Sequence, residues 1–420
     1  MHLKATLYQW VNTNRVILTN ATSLVSTTVT TSALGFVYWW LAARHFPPAA
    51  VGLASAAVST MMLLAGISSL GLGTLLISEL PRQSGKGSAL ITTALIVAGT
   101  AGGFLGFLFA ILAPYLSADL RPLAASPGTV AFFALGVGLN GLTIVLDEAV
   151  IGLLRSGLQL WRNILFASVK LALLWLATTL ITGRTGMTIY TTWVIGSLSS
   201  VILLALPTVL RGRSHLRLYR PEWNLLRQLR KAALRHHALN LTIQAPTLAL
   251  PLLATILLSA TVNAYFYAAW MVARFVFVGP IALTVVLHAV GASGPEALSR
   301  QFRSTLGTSL VISMLANGAL LVGAGPFLRL FGHAYAGQAE WSLRVLGLAV
   351  FPLIVKHHYI AVTRIYDQTT SATLVMAIGG LLELALAALG AHIGGLTGLT
   401  IGWVSATGMQ ALFLIGRKLL

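Results

Sequence analysis

Apolar runs long enough to cross a bilayer recur along the whole chain, and this repetition constrains the fold more than any motif. A transmembrane helix needs about 20 mainly apolar residues. Twelve such stretches can be drawn, roughly 18–42, 52–78, 88–113, 129–154, 161–182, 187–210, 238–260, 263–290, 304–325, 341–363, 370–392 and 394–416. Of the 420 residues 57% are apolar and only 9% charged, too few charges to coat a soluble globule of this size. A water-soluble enzyme is excluded, and so is disorder, which requires low hydrophobicity. The run Leu18–Leu41 is too long for a signal-peptide core and reads as a retained first span.

The net charge of +18 would suggest nucleic acid in a soluble chain; in a membrane chain it reads as topology. Placing the N-terminus inside puts 19 Lys and Arg residues on the cytoplasmic side, among them Arg82, Lys86, Arg155, Arg162, Arg300, Arg303 and Arg364. Only five, Arg44, Arg121, Arg184, Arg329 and Arg344, fall on the other side. That bias predicts a multi-pass protein of the cytoplasmic membrane with both termini cytoplasmic, and no nucleic-acid partner.

Eight of the nineteen lie in one central segment, 211–237. Its second half, Glu222–His237, is amphipathic, with Leu226, Leu229 and Ala233 on one face and Arg227, Lys231 and Arg235 on the other. Such a stretch is expected to lie against anionic lipid headgroups. Around this linker the chain is expected to divide into a segment 1–17 at the interface, a six-helix bundle over 18–210, the linker 211–237, and a second bundle over 238–420. Matches between the halves support duplication. Ala113-Pro114-Tyr115-Leu116 parallels Gly325-Pro326-Phe327-Leu328, Val51 parallels Val262, and Arg155-x-x-x-Gln159 parallels Arg364-x-x-x-Gln368, at offsets of 212, 211 and 209. An even number of spans per half relates the bundles by a pseudo-two-fold axis along the membrane normal, as in transporters that rock about a central cavity. The expected fold is therefore an all-α polytopic membrane protein of two six-helix bundles.

The chemistry available is narrow. Without cysteine there is neither disulfide nor thiol nucleophile. The chain lacks G-x-x-x-x-G-K-[ST], G-x-S-x-G and H-E-x-x-H, so no nucleotide, hydrolase or zinc chemistry and no cofactor or metal is expected. The neighbours His357 and His358 would point about 100° apart on a helix, which does not suit a metal. What remains are ionisable groups inside spans, each costing on the order of 2.5–3.5 kcal/mol unless it faces a cavity or a partner. The basic ones are Lys170, Arg274 and Lys356; the acidic ones are Asp147, Glu148 and Glu383. Asp147 lies eight residues before Arg155 and Lys356 eight before Arg364, which pairs them as symmetric positions of opposite charge. One reading is a cationic cavity for an anionic substrate, built from Arg274 and Lys356 with Lys170 and Arg44, and with Asp147, Glu148 or Glu383 coupling or gating. The other is structural salt bridges between helices, with Lys170 snorkelling. Glycines at four-residue spacing, Gly394/Gly398/Gly402, Gly99/Gly103 and Gly102/Gly106, are expected to let helices approach closely.

Several stretches resemble the multidrug/oligosaccharidyl-lipid/polysaccharide exporter superfamily, in particular its polysaccharide-export and O-antigen flippase branch. They are LAARHFPPAAVGLASAAVS (Leu41–Ser59), GISSLGLGTLLISELPR (Gly66–Arg82), GLLRSGLQLWRNILFASVKLALLWL (Gly152–Leu176), YFYAAWMVARFVFVGP (Tyr265–Pro280), FLRLFGHAYAGQAEWSLRVLGLAVFPLIV (Phe327–Val355) and IGGLTGLTIGWVSA (Ile393–Ala406). The resemblance implies a V-shaped cavity that alternates between membrane faces, and an undecaprenyl-pyrophosphate-linked oligosaccharide as substrate in polysaccharide biosynthesis. It implies pyrophosphate contact for Arg274, and a polymerase or ligase complex as candidate partner. The scarcity of intramembrane acids departs from cation-coupled drug antiporters of the same fold, which are the nearest alternative. An integral-membrane sugar or acyl transferase, or a non-transporting scaffold, are further ones.

Overall fold

The structure is a computed structural model that describes residues 15–82, 87–210, 223–291 and 295–417. The described residues form thirteen α-helices, one 3-10 turn (Ala118–Ala124) and no strand. In chain order the helices are α1 (Arg15–His45), α2 (Pro48–Ser68), α3 (Leu72–Glu79), α4 (Gly87–Leu116), α5 (Pro127–Gly152), α6 (Ser156–Leu180), α7 (Gly186–Leu210), α8 (Trp223–Leu257), α9 (Ala260–Gly291), α10 (Pro295–Arg329), α11 (His333–Leu348), α12 (Val350–Ile365) and α13 (Thr369–Gly416). Ten segments of them are long and apolar enough to cross a membrane. The all-helical, multi-pass architecture follows from that repetition, because only helices satisfy every backbone group within a single segment in lipid.

Helix α13 is two antiparallel arms. Its backbone leaves helical geometry at Gly394 (φ −138°, ψ 24°) and Gly395 (φ 58°, ψ −137°), the second a left-handed φ that favours glycine. Beyond the reversal, a Cβ on Gly398 would strike the Gly390 carbonyl, and one on Gly402 the Leu386 carbonyl. Two of the three expected glycines thus hold the arms together, while Gly394 makes the turn. Of the two other expected pairs one packs closely: Gly102 and Gly106 of α4 leave no room for a Cβ against Gly138, Ala134 and Val137 of α5, whereas a Cβ at Gly99 or Gly103 would meet only ordinary contacts at 3.8–3.9 Å.

Helix α1 does not reach the apolarity of the ten, which corrects the reading of 18–41 as an apolar run. Its first half carries Ser23, Ser26, Thr27, Thr28, Thr30, Thr31 and Ser32. Two of these hydroxyls are satisfied within the helix, Thr27 donating to the Ser23 carbonyl and Thr31 to that of Thr27, each at 2.7 Å. With α1 added and α13 divided, the expected twelve segments are accounted for. The amphipathic stretch after Glu222 is not a separate element: it runs on into the seventh span as the continuous α8. Residues 211–222, and the side chains of Arg227, Lys231 and Arg235, lie outside the described residues.

Helix ends repeat along the chain. Pro48 and Ala260 begin α2 and α9, Leu116 and Arg329 end α4 and α10, Gly152 and Ile365 end α5 and α12, and Ser156 and Thr369 begin α6 and α13. These pairs lie 212 or 213 residues apart. The joints match in detail: Leu154 (φ 56°) and Asp367 (φ 52°) both adopt the left-handed conformation. Arg155 N then donates to the Val150 carbonyl at 2.9 Å, and Gln368 N to the Thr363 carbonyl at 2.8 Å, the same C-terminal motif twice. At an offset of 213 the counterpart of Asp147 is Ile360, not Lys356; the expected symmetric pairing was one helical turn out of register.

The chain divides into two compact units. The first comprises 1–41, 64–114 and 122–237, and the second 42–63, 115–121 and 238–420. Most of α2 and the tip after α4 therefore pack with the second unit, which chain order did not indicate. In the second unit Asn263 Nδ2 donates to the Gly52 carbonyl at 2.8 Å, and Asp119 caps the Ala260 amide at 2.6 Å. Aromatic side chains fill both interiors: Tyr190 stacks on Phe133 (5.4 Å) in the first, and Trp270 meets Trp403 edge to face (4.8 Å) in the second.

Candidate functional site

In the first unit Asp147 on α5 holds Arg162 on α6 in a two-point pair, Nε to Oδ1 at 2.6 Å and Nη2 to Oδ2 at 2.5 Å. Asn163 donates to the same carboxylate at 3.1 Å, and Arg162 reaches Ser200 on α7 at 3.4 Å. The buried arginine is thereby neutralised, so Arg162 clips three helices rather than marking a cytoplasmic loop. Asp147 is committed to that clip. Glu148 turns the other way, hydrogen-bonded to Thr74 and packed on α3 where Gly73 has no Cβ.

Lys170 does not snorkel. It is 4% exposed, and its Nζ sits 3.5 Å from the ring centre of Trp193, 4.4 Å from Phe166 and 4.9 Å from Tyr38. Gly196 of α7 makes the room, since a Cβ there would meet the Lys170 Cβ at 2.8 Å. Tyr38 is itself held by Thr192 at 2.7 Å and the Ile189 carbonyl at 2.9 Å. The charge is carried by ring faces, which removes Lys170 from the set that could grip a phosphate here.

In the second unit Lys356 and Glu383, one expected at the substrate and the other at coupling, bind each other. Nζ donates to Oε1 at 2.6 Å, and Trp403 Nε1 donates to Oε2 at 3.0 Å. Both side chains are buried, 5% and 1% exposed. The salt-bridge reading applies to this pair, because a carboxylate already saturates the ammonium. Arg44 is occupied too: Nε donates to the Leu330 carbonyl at 2.7 Å, closing the C-terminus of α10. Arg274 is the exception. It lies exposed on α9, held by no hydrogen bond or ion pair among the described residues, seven residues beyond Tyr267, whose hydroxyl feels its charge.

About two turns further along α9, Ile281 and Thr284 line a cavity of about 330 Å3 within the second unit. Helix α8 contributes Asn240, Ile243 and Gln244, and α12 contributes His357, Ile360, Ala361 and Arg364. Arg364 is held across the opening by Asn240, Nη2 to Oδ1 at 2.7 Å. Among the described residues the lining has a guanidinium, an imidazole, two amides and a hydroxyl, and no carboxylate. Such a set offers donors to an anionic or hydroxyl-rich group. Sequence reasoning counted Arg364 as a topology residue and missed Asn240 and Gln244. The available signal was spacing: His357 and Arg364 stand seven apart, and Asn240 and Gln244 four apart, each pair on one helical face. No group of three or more metal-binding side chains occurs among the described residues.

Comparison with known proteins places this geometry. A family model described as polysaccharide biosynthesis protein matches residues 17–287, more than half of the chain. No curated protein matches the chain in sequence. Among solved structures it is similar to the inward-facing conformation of a multidrug resistance MATE family transporter of the MOP superfamily (TM-score 0.74, 16% identity, 94% of this chain and 97% of that one). The outward-facing conformation of a multidrug resistance MATE family transporter of the MOP superfamily also matches (TM-score 0.65, 16% identity, 96% and 95%). A third is a MOP superfamily transporter from Pyrococcus furiosus, described by the reverse polarity of its binding pocket (TM-score 0.63, 16% identity, 94% of each chain). At these identities the structures establish the fold, and the family model establishes descent. The chain belongs to the polysaccharide biosynthesis protein family and has the fold of the solved MOP superfamily transporters.

Proposed function

We propose that the protein is a flippase that moves an oligosaccharide linked to undecaprenyl pyrophosphate across the cytoplasmic membrane by alternating access, with both termini cytoplasmic. The observation that carries this reading is the carboxylate-free cavity of α8, α9 and α12, in which Arg364 and His357 stand beside Asn240, Gln244 and Thr284. An arginine held in place by an amide is suited to phosphate oxygens, because its planar fork matches them and charge-assisted bonds are the strong kind. Amides and hydroxyls suit sugar. A volume of about 330 Å3 is at the small end for ligand pockets and fits a headgroup, leaving the lipid chain to the bilayer. Arg274, unpaired on the same face of α9, is the second phosphate contact. Lys356, Lys170 and Arg44 have no part in it, being held by Glu383, an aromatic cage and a helix end respectively.

The acids fit a small-cation exporter poorly: Asp147 is taken by Arg162 and Glu383 by Lys356, leaving Glu148. The test is reconstitution into liposomes with a fluorescent pyrophosphate-linked oligosaccharide. The protein is expected to accelerate its transbilayer movement. Arg364→Ala and Arg274→Ala should each slow it about tenfold, the loss of one charge-assisted contact of roughly 1.4 kcal/mol. Movement no faster than in empty vesicles, with transport of an organic cation instead, would assign the protein to the other branch of the fold.

A further inference from the structure

Helix α10 is polar at every fourth residue along its buried face. Thr305, Ser309, Ser313 and Asn317 are 3%, 0%, 0% and 3% exposed. Many other buried hydroxyls in the chain bond back to a carbonyl one turn earlier, as Thr93 does to Ala89. Here the Ser309 and Ser313 hydroxyls and the Asn317 Oδ1 have no partner among the described residues. A polar atom left bare in an apolar interior costs several kcal/mol, and buried water is the usual remedy where such atoms line one face. Beside Asn317 the facing helices are interrupted. Pro352 lacks the N–H that would bond to the Leu348 carbonyl, and α11 gives way to α12 at Ala349. Gly347 leaves open the space beside Asn317, whose Oδ1 lies 2.7 Å from where a Cβ would stand. Two further bare oxygens lie on α11, Ser342 Oγ past its midpoint and Tyr335 Oη in its first turn.

The stripe ends at His358, which is 1% exposed. Its Nδ1 lies 2.8 Å from the Ile354 carbonyl, which can only accept, so Nδ1 carries a proton. Its Nε2 lies 3.2 Å from Thr305 Oγ1, which is also 2.9 Å from the Gln301 carbonyl. Turned toward Gln301, the threonine hydroxyl leaves a lone pair for a protonated Nε2. Turned toward the ring, it donates to a neutral Nε2. Rotation of one hydroxyl therefore satisfies both protonation states at a buried site.

We propose that this face of α10 holds a file of water that carries protons from the α11 side of the second unit to His358, and that His358 is a proton-binding coupling site. The proton arrives at Nε2 and leaves from it; no other bond changes. The surrounding charges do not preempt the role. On its own helix Lys356 is paired with Glu383 of α13, His357 faces the cavity, and Arg364 is bound to Asn240 of α8. On α10, Arg300 and Arg303 are exposed, and on α9 the exposed Arg274 is the charged residue. No free carboxylate stands against the imidazole among these groups. Coupling follows from connectivity, since α12 carries both His358 and the cavity residues His357, Ile360, Ala361 and Arg364.

The test needs no transported substrate, so its outcome is separate from that of the flippase reading. Full-length protein in lipid nanodiscs, labelled with 15N-histidine and assigned by His358→Gln, is titrated by NMR from about pH 5 to 9, the range in which imidazoles change charge. His358 is expected to gain and lose the Nε2 proton while Nδ1 stays protonated, with exchange into bulk water. Ser309→Val/Ser313→Val should slow that exchange by at least about tenfold, since the file loses consecutive hydrogen-bonding stations. A ring held in one state throughout, or exchange unchanged in the double variant, would overturn the proposal and leave structural water only. The wild-type titration decides the first point even if the double variant does not fold, and Ser313→Ala repeats the second with a smaller change in volume.

Discussion

At the scale of single residues, the recurring theme is that ionisable groups inside the spans were visible in the sequence while their partners were not. Lys356 and Glu383 are 27 positions apart, and nothing local says that α12 and the first arm of α13 set them 2.6 Å from each other. Breaking a buried pair strands a charge, so Lys356→Ala or Glu383→Ala should destabilise the folded protein by about 3–5 kcal/mol. The double variant Lys356→Met/Glu383→Leu should recover most of that loss, because apolar groups of similar volume replace both ions at once. Thermal unfolding of the wild type, the two alanine variants and the double variant in one detergent checks it. Lys170 gives a second residue-scale expectation. Trp193→Ala removes the nearest face of its cage and should lower stability by roughly 3 kcal/mol or more, whereas Lys170→Met should cost much less, since it keeps the packing and discards the charge. Equal losses in the two variants would show that the charge itself is needed.

At the scale of elements, existence was legible and most joints were not. Composition found every span, because a run of 20 apolar residues in lipid has no alternative to helix, but the stretch 52–78 is broken between α2, which ends at Ser68, and α3, and the stretch 341–363 begins earlier, at His333, as α11 followed by α12. The turn inside α13 was legible as the break between 370–392 and 394–416; its geometry is set by Gly395 and by the close packing of Gly390 against Gly398. Gly398→Leu should pry the two arms apart, since the added side chain meets the Gly390 backbone rather than a movable group. The expected result is poor expression or loss of monodispersity on gel filtration, with Gly408→Leu, where no atom lies within 4 Å of the added Cβ, as the tolerated control. The repeat register shows the same limit. Motif matching paired Arg155 with Arg364, but the two left-handed joints at Leu154 and Asp367 pair them one turn differently. Residues four apart share a helical face, so similarity of sequence slides easily by one turn, whereas backbone geometry does not.

At the scale of the whole molecule, the absence of cysteine provides its own assay, because single cysteines can be introduced without background. With both termini cytoplasmic, a membrane-impermeant maleimide should label Lys86→Cys and Arg303→Cys in inverted vesicles, and Arg184→Cys in intact spheroplasts. The reverse pattern would invert the topology and remove the positive-inside argument with it. The two units add a point that chain order conceals: residues 42–63 are early in sequence yet pack with 238–420. Asn263 and Asp119 tie those segments to the start of α9 through hydrogen bonds between residues 211 and 141 positions apart, which no periodicity encodes.

The pattern along the chain already carries the multi-pass helical class, the number of segments, the internal repeat and the lack of cysteine. Each of these is a sum over composition or a pattern along the chain, so it needs no knowledge of which segments meet. Only the tertiary structure decided which charges are free. It assigned Lys356 to Glu383, Asp147 to Arg162, Lys170 to three aromatic rings and Arg44 to a helix end, and it raised Arg364 from a topology signal to the wall of a cavity. The physical reason is that the role of an ion in a membrane protein depends on what neutralises it. Neutralising partners come from helices distant in sequence, at separations of about 3 Å that a one-dimensional pattern does not contain.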